Sequence, residues 1–203
     1  MRERKLFIAT GNNDKVREIK KKFADINFTV LSPADFTGMT MDVEETGSTL
    51  EENALLKARA GAEKSGLLAM ADDTGLKVKA LKGRPGVYSA RFAGPEATYE
   101  ENNRYLLDQL QDVSWDKRGA YFETVAALCD PESGAEYTVR GICKGIIAKN
   151  FQGEAGFGYD PLFYLPILEK TMAQLDTETK NTISHRARAL GKLKLVLEKN
   201  FLN

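Results

Sequence analysis

Asp72-Asp73-Thr74-Gly75-Leu76 sets two carboxylates side by side at the close of an apolar run, Leu67 to Ala71. A run of that length reads as a short buried strand. Adjacent acids at the end of a buried strand are costly to desolvate unless something positive faces them. A hard divalent cation such as Mg²⁺ suits them, because it takes oxygen ligands and keeps waters for phosphate binding and attack. Gly75 would let the backbone turn tightly behind the acids. The same five residues also fit an Asx-type turn, in which the carboxylates only accept local N–H groups.

Four other stretches carry groups that could serve the same chemistry. Thr10-Gly11-Asn12-Asn13-Asp14-Lys15 follows an apolar run and precedes a helical pattern. Backbone N–H groups at such a turn face an anion, and the helix dipole adds to the attraction. It is not a P-loop, and an ordinary helix cap is the competing reading. Glu44 and Glu45 stand before Thr46-Gly47, and Asn53 and Lys57 lie four apart on one helical face. Glu44 and Glu45 equally fit an exposed loop pair, and Lys57 a solvated helix lysine. Gly153 to Pro161 is glycine-rich and carries Phe157, Gly158, Tyr159 and Asp160. A ring on so thin a backbone suits a stacking platform for a flat base, with Asp160 accepting a ring N–H; the alternative is an aromatic residue folded into the core. Lys180 precedes Ser184, His185 and Arg186, which open the last helical pattern. Cations there oppose the helix dipole, a broken local rule that marks either a functional site or a basic, solvated helix start. Arg91 fits a phosphate contact or a structural ion pair.

These groups need elements to position them. Leu6 to Ala9, a helix bearing Val16, Ile19 and Phe23 on one face, and Phe28 to Leu31 make a β-α-β unit. Thr49 with Glu52 forms a capping box for a helix whose stripe of Leu50, Ala54, Ala58 and Ala62 permits close approach to a sheet; Gly66 ends it. Leu76, Val78 and Ala80 alternate with lysines, as in a half-exposed strand. Thr98 with Glu101 opens another helix. Residues 119–129 and 135–148 are strand-like runs around the turn Asp130-Pro-Glu-Ser-Gly134, so the sheet is mixed. Ile183, Ala187, Leu190, Leu197 and Phe201 define a C-terminal helix.

Composition excludes several classes. A chain of 203 residues can bury one good core, so a single domain over 1–203, with two lobes, is expected. Its formal net charge of +0 gives no global field for a nucleic acid polymer. The two cysteines, Cys129 and Cys143, are too few for a disulfide framework and read as core residues; the lone His185 rules out a multi-histidine metal site. No apolar run is long enough to span a membrane. Met1-Arg-Glu-Arg-Lys5 leads into a strand without a secretory apolar region, which points to a cytoplasmic address.

Taken in order, the motifs resemble the inosine triphosphate pyrophosphatase family, which hydrolyses non-standard purine nucleoside triphosphates. They are Thr10-Gly-Asn with Lys15 and Glu18, Glu44-Glu45-Thr-Gly, Glu52-Asn-Ala with Lys57-Ala, and Asp72-Asp-Thr-Gly-Leu. Pro85-Gly, Ser89-Ala-Arg, Gly156-Phe-Gly-Tyr-Asp-Pro161 and Lys180 with Ser184-His-Arg complete the set. Thr74, Leu50 and Ala155 stand where that family often has Ser, Phe and Gly.

The resemblance implies an elongated α/β fold, with a long mixed β-sheet flanked by helices, two lobes around a central cleft, and a homodimer. It implies Mg²⁺-dependent cleavage of ITP, dITP or XTP to the monophosphate and pyrophosphate. Asp73 corresponds to the acid that activates water and binds metal, and Glu44 to the second metal ligand. Thr10 through Lys15, Thr74, Phe157 through Asp160, Lys180, His185 and Arg186 correspond to substrate contacts. From the chemistry of the residues themselves, Lys57 would also hold the triphosphate, Asp72 is the other candidate to take the proton of water, and Arg186, a donor only, would favour a 6-keto purine. Two other readings stay open: a pyrophosphatase for modified or pyrimidine nucleotides, and a non-catalytic nucleotide-binding module.

Overall fold

The computed structural model describes residues 4–202; Met1, Arg2 and Glu3, from which the address was read, lie outside the described residues. Eight strands, β1 (Lys5–Ile8), β2 (Thr29–Leu31), β3 (Leu68–Val78), β4 (Pro85–Gly86), β5 (Gly119–Cys129), β6 (Glu136–Ile147), β7 (Phe163–Leu165) and β8 (Lys170–Thr171), form one sheet. Its order is β2-β1-β3-β5-β6-β7-β8, with β4 paired to β3. β1 runs parallel to β2 and β3, whereas β4 is antiparallel to β3, β7 to β6 and β8 to β7. The expected α/β class and mixed sheet are therefore observed. The helices are α1 (Asn13–Lys22), α2 (Leu50–Ser65), α3 (Tyr99–Gln109), α4 (Thr177–Ile183) and α5 (His185–Phe201).

The chain divides into two compact units, each with its own core. Unit 1 holds residues 1–73, 124–141 and 186–203; unit 2 holds 74–123 and 142–185. Strands β3, β5 and β6 contribute residues to both. The core of unit 1 gathers Leu6, Ile19, Phe23, Met70, Leu128 and Leu193. That of unit 2 gathers Leu76, Leu106, Leu110, Phe122, Ile147 and Phe163.

Local chemistry sets the element ends. Asn12 caps α1, its Oδ1 accepting from Asp14 N at 2.9 Å and Lys15 N at 3.2 Å. The Thr49–Glu52 and Thr98–Glu101 capping boxes both form, and Gly66 closes α2 at φ +66°. The small-residue stripe of α2 lies buried; Gly61 comes so close to β1 that a methyl group there would overlap Ala9 Cβ. Both cysteines are buried and free, as their strand positions suggested.

Three expectations fail. Gly75 does not turn the chain: β3 runs unbroken through Asp72, Asp73, Thr74 and Gly75 to Val78. Ladder pairing on a buried strand outweighs the intrinsic freedom of one glycine. Consequently the acids sit in mid-strand, and the Asx-turn reading falls with the turn. The half-exposed strand also ends early, since Lys79–Leu81 forms a 3-10 turn. The C-terminal helix begins at His185; Ile183, counted in its stripe, instead ends a separate short helix, Thr177–Ile183, with Ser184 as the break between them. Among the described residues no helix is long and apolar enough to cross a membrane.

Candidate active site

In unit 1 the strand β3 delivers Asp72 and Asp73 into a dense charge cluster. Asp72 is fully buried and lies 3.2 Å from Lys15 Nζ through Oδ2. The Nε and Nη2 of Arg186 both donate to that same oxygen at 3.2 Å. Arg186 Nη1 donates to Glu18 Oε2 at 2.7 Å. Burial alone would raise the Asp72 carboxyl, but the charges of Lys15 and Arg186 hold it well below the usual carboxylate range. Arg186 is itself pushed above its ordinary value: burial opposes this, and Asp72 and Glu18 outweigh it.

Asp73 is placed differently. Lys57, one turn after Asn53 on α2, donates from Nζ to Asp73 Oδ1 and to Glu45 Oε1, each at 2.7 Å. Burial raises the Asp73 carboxyl above its ordinary value, and Glu45 adds to the rise against the pull of Lys57 and Lys15. Burial pulls the Lys57 ammonium down, yet Asp73 and Glu45 carry it above its ordinary value. Lys15 moves the other way, lowered chiefly by burial despite Asp72. Asn53 anchors the incoming loop, its Oδ1 accepting from Gly47 N at 2.8 Å, while its buried Nδ2 has no protein partner.

Thr10 through Lys15 form the β1–α1 turn; Thr10 Oγ1 accepts from Asn12 N at 3.2 Å, and Gly11 and Asn13 are exposed. Asp14 pairs with Arg17 on the helix surface. Glu44 is exposed, and the carboxylate that Lys57 engages is its neighbour Glu45. Burial alternates residue by residue from 41 to 47, as in an extended segment that sends Glu44 and Glu45 to opposite sides. In the sequence, Met41 and Val43 alternate with Asp42 and Glu44, which puts Glu45 on the apolar side; that was the available signal. Glu18, on the buried side of α1 near Ile19, is the other member of the cluster that residue chemistry alone passed over.

Unit 2 builds a second constellation around the Gly153–Pro161 loop. Lys180 Nζ donates to Asp160 Oδ2 at 2.7 Å and stands 4.9 Å from the centroid of the Phe157 ring. Phe157 N donates to the same carboxylate oxygen at 3.0 Å, and Gly156, at φ +81°, lies so close that a methyl there would overlap it. Tyr99 lies beside Phe157, centroids 6.0 Å apart. Asn103 Nδ2 pins the loop by donating to Gly158 O at 2.7 Å. Tyr159 instead turns into the core, its hydroxyl donating to Ser89 O at 2.8 Å, and burial raises its pKa. His185 is buried and stacks on Phe122, centroids 4.4 Å apart. Thr74 is half-buried on β3, and Arg91 stacks on Tyr88.

The parallel β-α-β start and mixed sheet define an α/β protein, with a buried carboxylate–cation cluster in unit 1 and a pinned aromatic loop in unit 2. The chain belongs to the Ham1 family, whose profile matches residues 6–196. It is 47% identical to the dITP/XTP pyrophosphatase of Desulforamulus reducens over 199 residues, 98% of each chain. It is 52% identical to the dITP/XTP pyrophosphatase of Thermoanaerobacter pseudethanolicus over 94% of each. Among solved structures, a HAM1 protein from Coxiella burnetii matches at a TM-score of 0.86 and 40% identity, covering 97% of this chain and 99% of its own. The Ham1 protein of Staphylococcus aureus matches at 0.84 and 42%, with the same coverage.

Proposed function

We propose that this protein hydrolyses non-standard purine nucleoside triphosphates, ITP, dITP and XTP, to the monophosphate and pyrophosphate. The relatives named dITP/XTP pyrophosphatase support the reaction class. The observation that carries the mechanism is the different placement of two adjacent acids: Asp72 is clamped between Lys15 and Arg186, whereas Asp73 shares Lys57 with Glu45.

A divalent metal, Mg²⁺ by donor chemistry, belongs to this reading. Among the described residues no three of Asp, Glu, His and Cys converge as a metal cage. Mg²⁺ does not need one, since one or two carboxylates plus phosphate oxygens and waters suffice. The Lys57 ammonium, 2.7 Å from both Asp73 and Glu45, marks a point where those carboxylates already hold a cation. The donor set therefore fits. Asp73 and Glu45 would hold the ion; Glu44, the ligand implied by the resemblance, is the exposed neighbour of Glu45. When bound, the metal supplies charge neutralisation on the phosphates and acidifies a coordinated water. The charge count calls for such help, because with all groups ionised the carboxylates of Glu18, Glu45, Asp72 and Asp73 outnumber Lys15, Lys57 and Arg186.

Asp73 takes the proton of the attacking water. The water oxygen bonds to the α-phosphorus as the bond to the β-phosphate oxygen breaks, and pyrophosphate leaves. Lys15, Lys57 and the Thr10–Asp14 turn bind the polyphosphate oxygens. Asp72 fixes Lys15 and Arg186 rather than taking the proton.

Phe157 stacks the base, and Asp160 and Lys180 meet its polar edge, with Thr74, Gly158, Tyr159 and His185 shaping or supporting that site. Lys180 is a donor only, so it can donate to a 6-keto oxygen but faces the 6-amino group of adenine donor to donor; Arg186, also a donor only, is the keto reader that the resemblance implies. We propose a cytoplasmic homodimer, without nucleic acid or membrane partners. A pyrophosphate-release assay across ITP, XTP, GTP, ATP and pyrimidine triphosphates, with and without Mg²⁺, tests the function; equal rates on all of them would refute it.

A further inference from the structure

We infer that Lys57 is a built-in counter-ion that competes with the divalent cation for Asp73 and Glu45, so that metal binds tightly only when a polyphosphate takes up the displaced ammonium. The inference rests on the reading of unit 1 as a metal-assisted polyphosphate site. Lys57 Nζ lies 2.7 Å from Asp73 Oδ1 and 2.7 Å from Glu45 Oε1. These are the carboxylate oxygens that would coordinate the ion. Lys57 is buried, and removing its two partners without a replacement would strand a charge. A polyphosphate oxygen is the replacement that a substrate brings. Four methylenes let the ammonium swing between partners while its α2 backbone stays fixed.

Lys15 provides the contrast within the same cluster. Its ammonium is tied to Asp72 Oδ2 and to Asp72 O, each at 3.2 Å. Both lysines add positive charge near these carboxylates, and Lys57 is the one bonded to both Asp73 and Glu45. The device explains how an enzyme with paired carboxylates avoids sequestering metal ions when no nucleotide is present.

The test is Mg²⁺ and Mn²⁺ binding to nucleotide-free protein by calorimetry, comparing wild type with Lys57→Met and Lys15→Met. Removing a unit charge a few ångströms from the ion should tighten binding by ~10-fold or more in Lys57→Met, and much less in Lys15→Met. Unchanged affinity in Lys57→Met, or an equal gain in both variants, would overturn the inference. In wild type, acylation of Lys57 read by mass spectrometry should rise on adding saturating Mg²⁺; constant labelling would also overturn it, even if Lys57→Met fails to fold. Neither readout requires turnover, so a protein that releases no pyrophosphate would refute the proposed reaction separately.

Discussion

Asp72 and Asp73 are neighbours on β3, yet their carboxyl groups are driven in opposite directions: Arg186 and Lys15 close on Asp72, whereas Asp73 shares the single Lys57 with Glu45. Strand alternation makes this possible by sending adjacent side chains to opposite faces. One acid is held as a fixed anion; the other is the base of the proposed reaction.

Substitution should separate the two roles. Asp73→Asn keeps a partner for Lys57 and loses the proton acceptor, so kcat should drop by ~10²–10⁴ with the melting temperature within ~4 °C of wild type. Asp72→Asn leaves Arg186 and Lys15 underneutralised in a buried setting, so it should cost ~3–5 kcal/mol of stability. Denaturant titration and steady-state kinetics on both variants measure this.

The same contrast has a pH signature. The folded Asp72 value lies below its ordinary 3.8, so its ion pairs add stability that is present above that value and lost as the pH falls through the folded one. The folded Asp73 value lies above 3.8; its ionised form costs stability at higher pH, and the cost is relieved as the pH falls through that raised value. Carboxyl ¹³C NMR of the metal-free protein should show the Asp72 midpoint below 3.8 and the Asp73 midpoint above it.

Gly156→Ala should disturb the loop rather than the whole protein. The added methyl strikes Asp160 Oδ2 and the backbone sits at φ +81°, so the bonds from Phe157 N and Lys180 are displaced. Strain of this kind costs about 1–3 kcal/mol. If the loop holds the base, KM for ITP rises ~10-fold or more and the preference over ATP shrinks, while Mg²⁺ binding is unchanged.

Gly61→Ala probes the packing of α2 on β1. Its methyl would overlap Ala9 Cβ, and overpacking of a tight core costs about 1–3 kcal/mol. Thermal melts should show the loss. Because α2 carries Lys57, a shift of the helix should also lower kcat; a variant as stable as wild type would refute the contact.

Much of this was legible because the deciding interactions are local. The capping boxes at Thr49 and Thr98, the Gly66 stop and the turn before β6 each follow from residues within a few positions of one another. Asp72, Asp73, Lys15, Lys57 and Arg186 stood out because charge among apolar runs demands partners. The partnerships themselves were not legible. Arg186 meets Glu18 across 168 positions, and only the folded chain shows that its guanidinium is bonded to acids. Gly75 misled because its local freedom says nothing about the strands beside it. Arg118 gave no sequence signal, yet it is buried and donates to the carbonyls of Leu110, Ile147 and Ala148 in unit 2. Its acceptors come from two segments, one after α3 and one at the end of β6, which no local pattern reveals.

The central claim is that water attacks the α-phosphorus under the control of Asp73. Turnover of ITP in H₂¹⁸O with Mg²⁺, followed by mass spectrometry, tests it most directly. The account predicts one ¹⁸O in the inosine monophosphate and none in the pyrophosphate. Label in the pyrophosphate, or release of single phosphates, would contradict it.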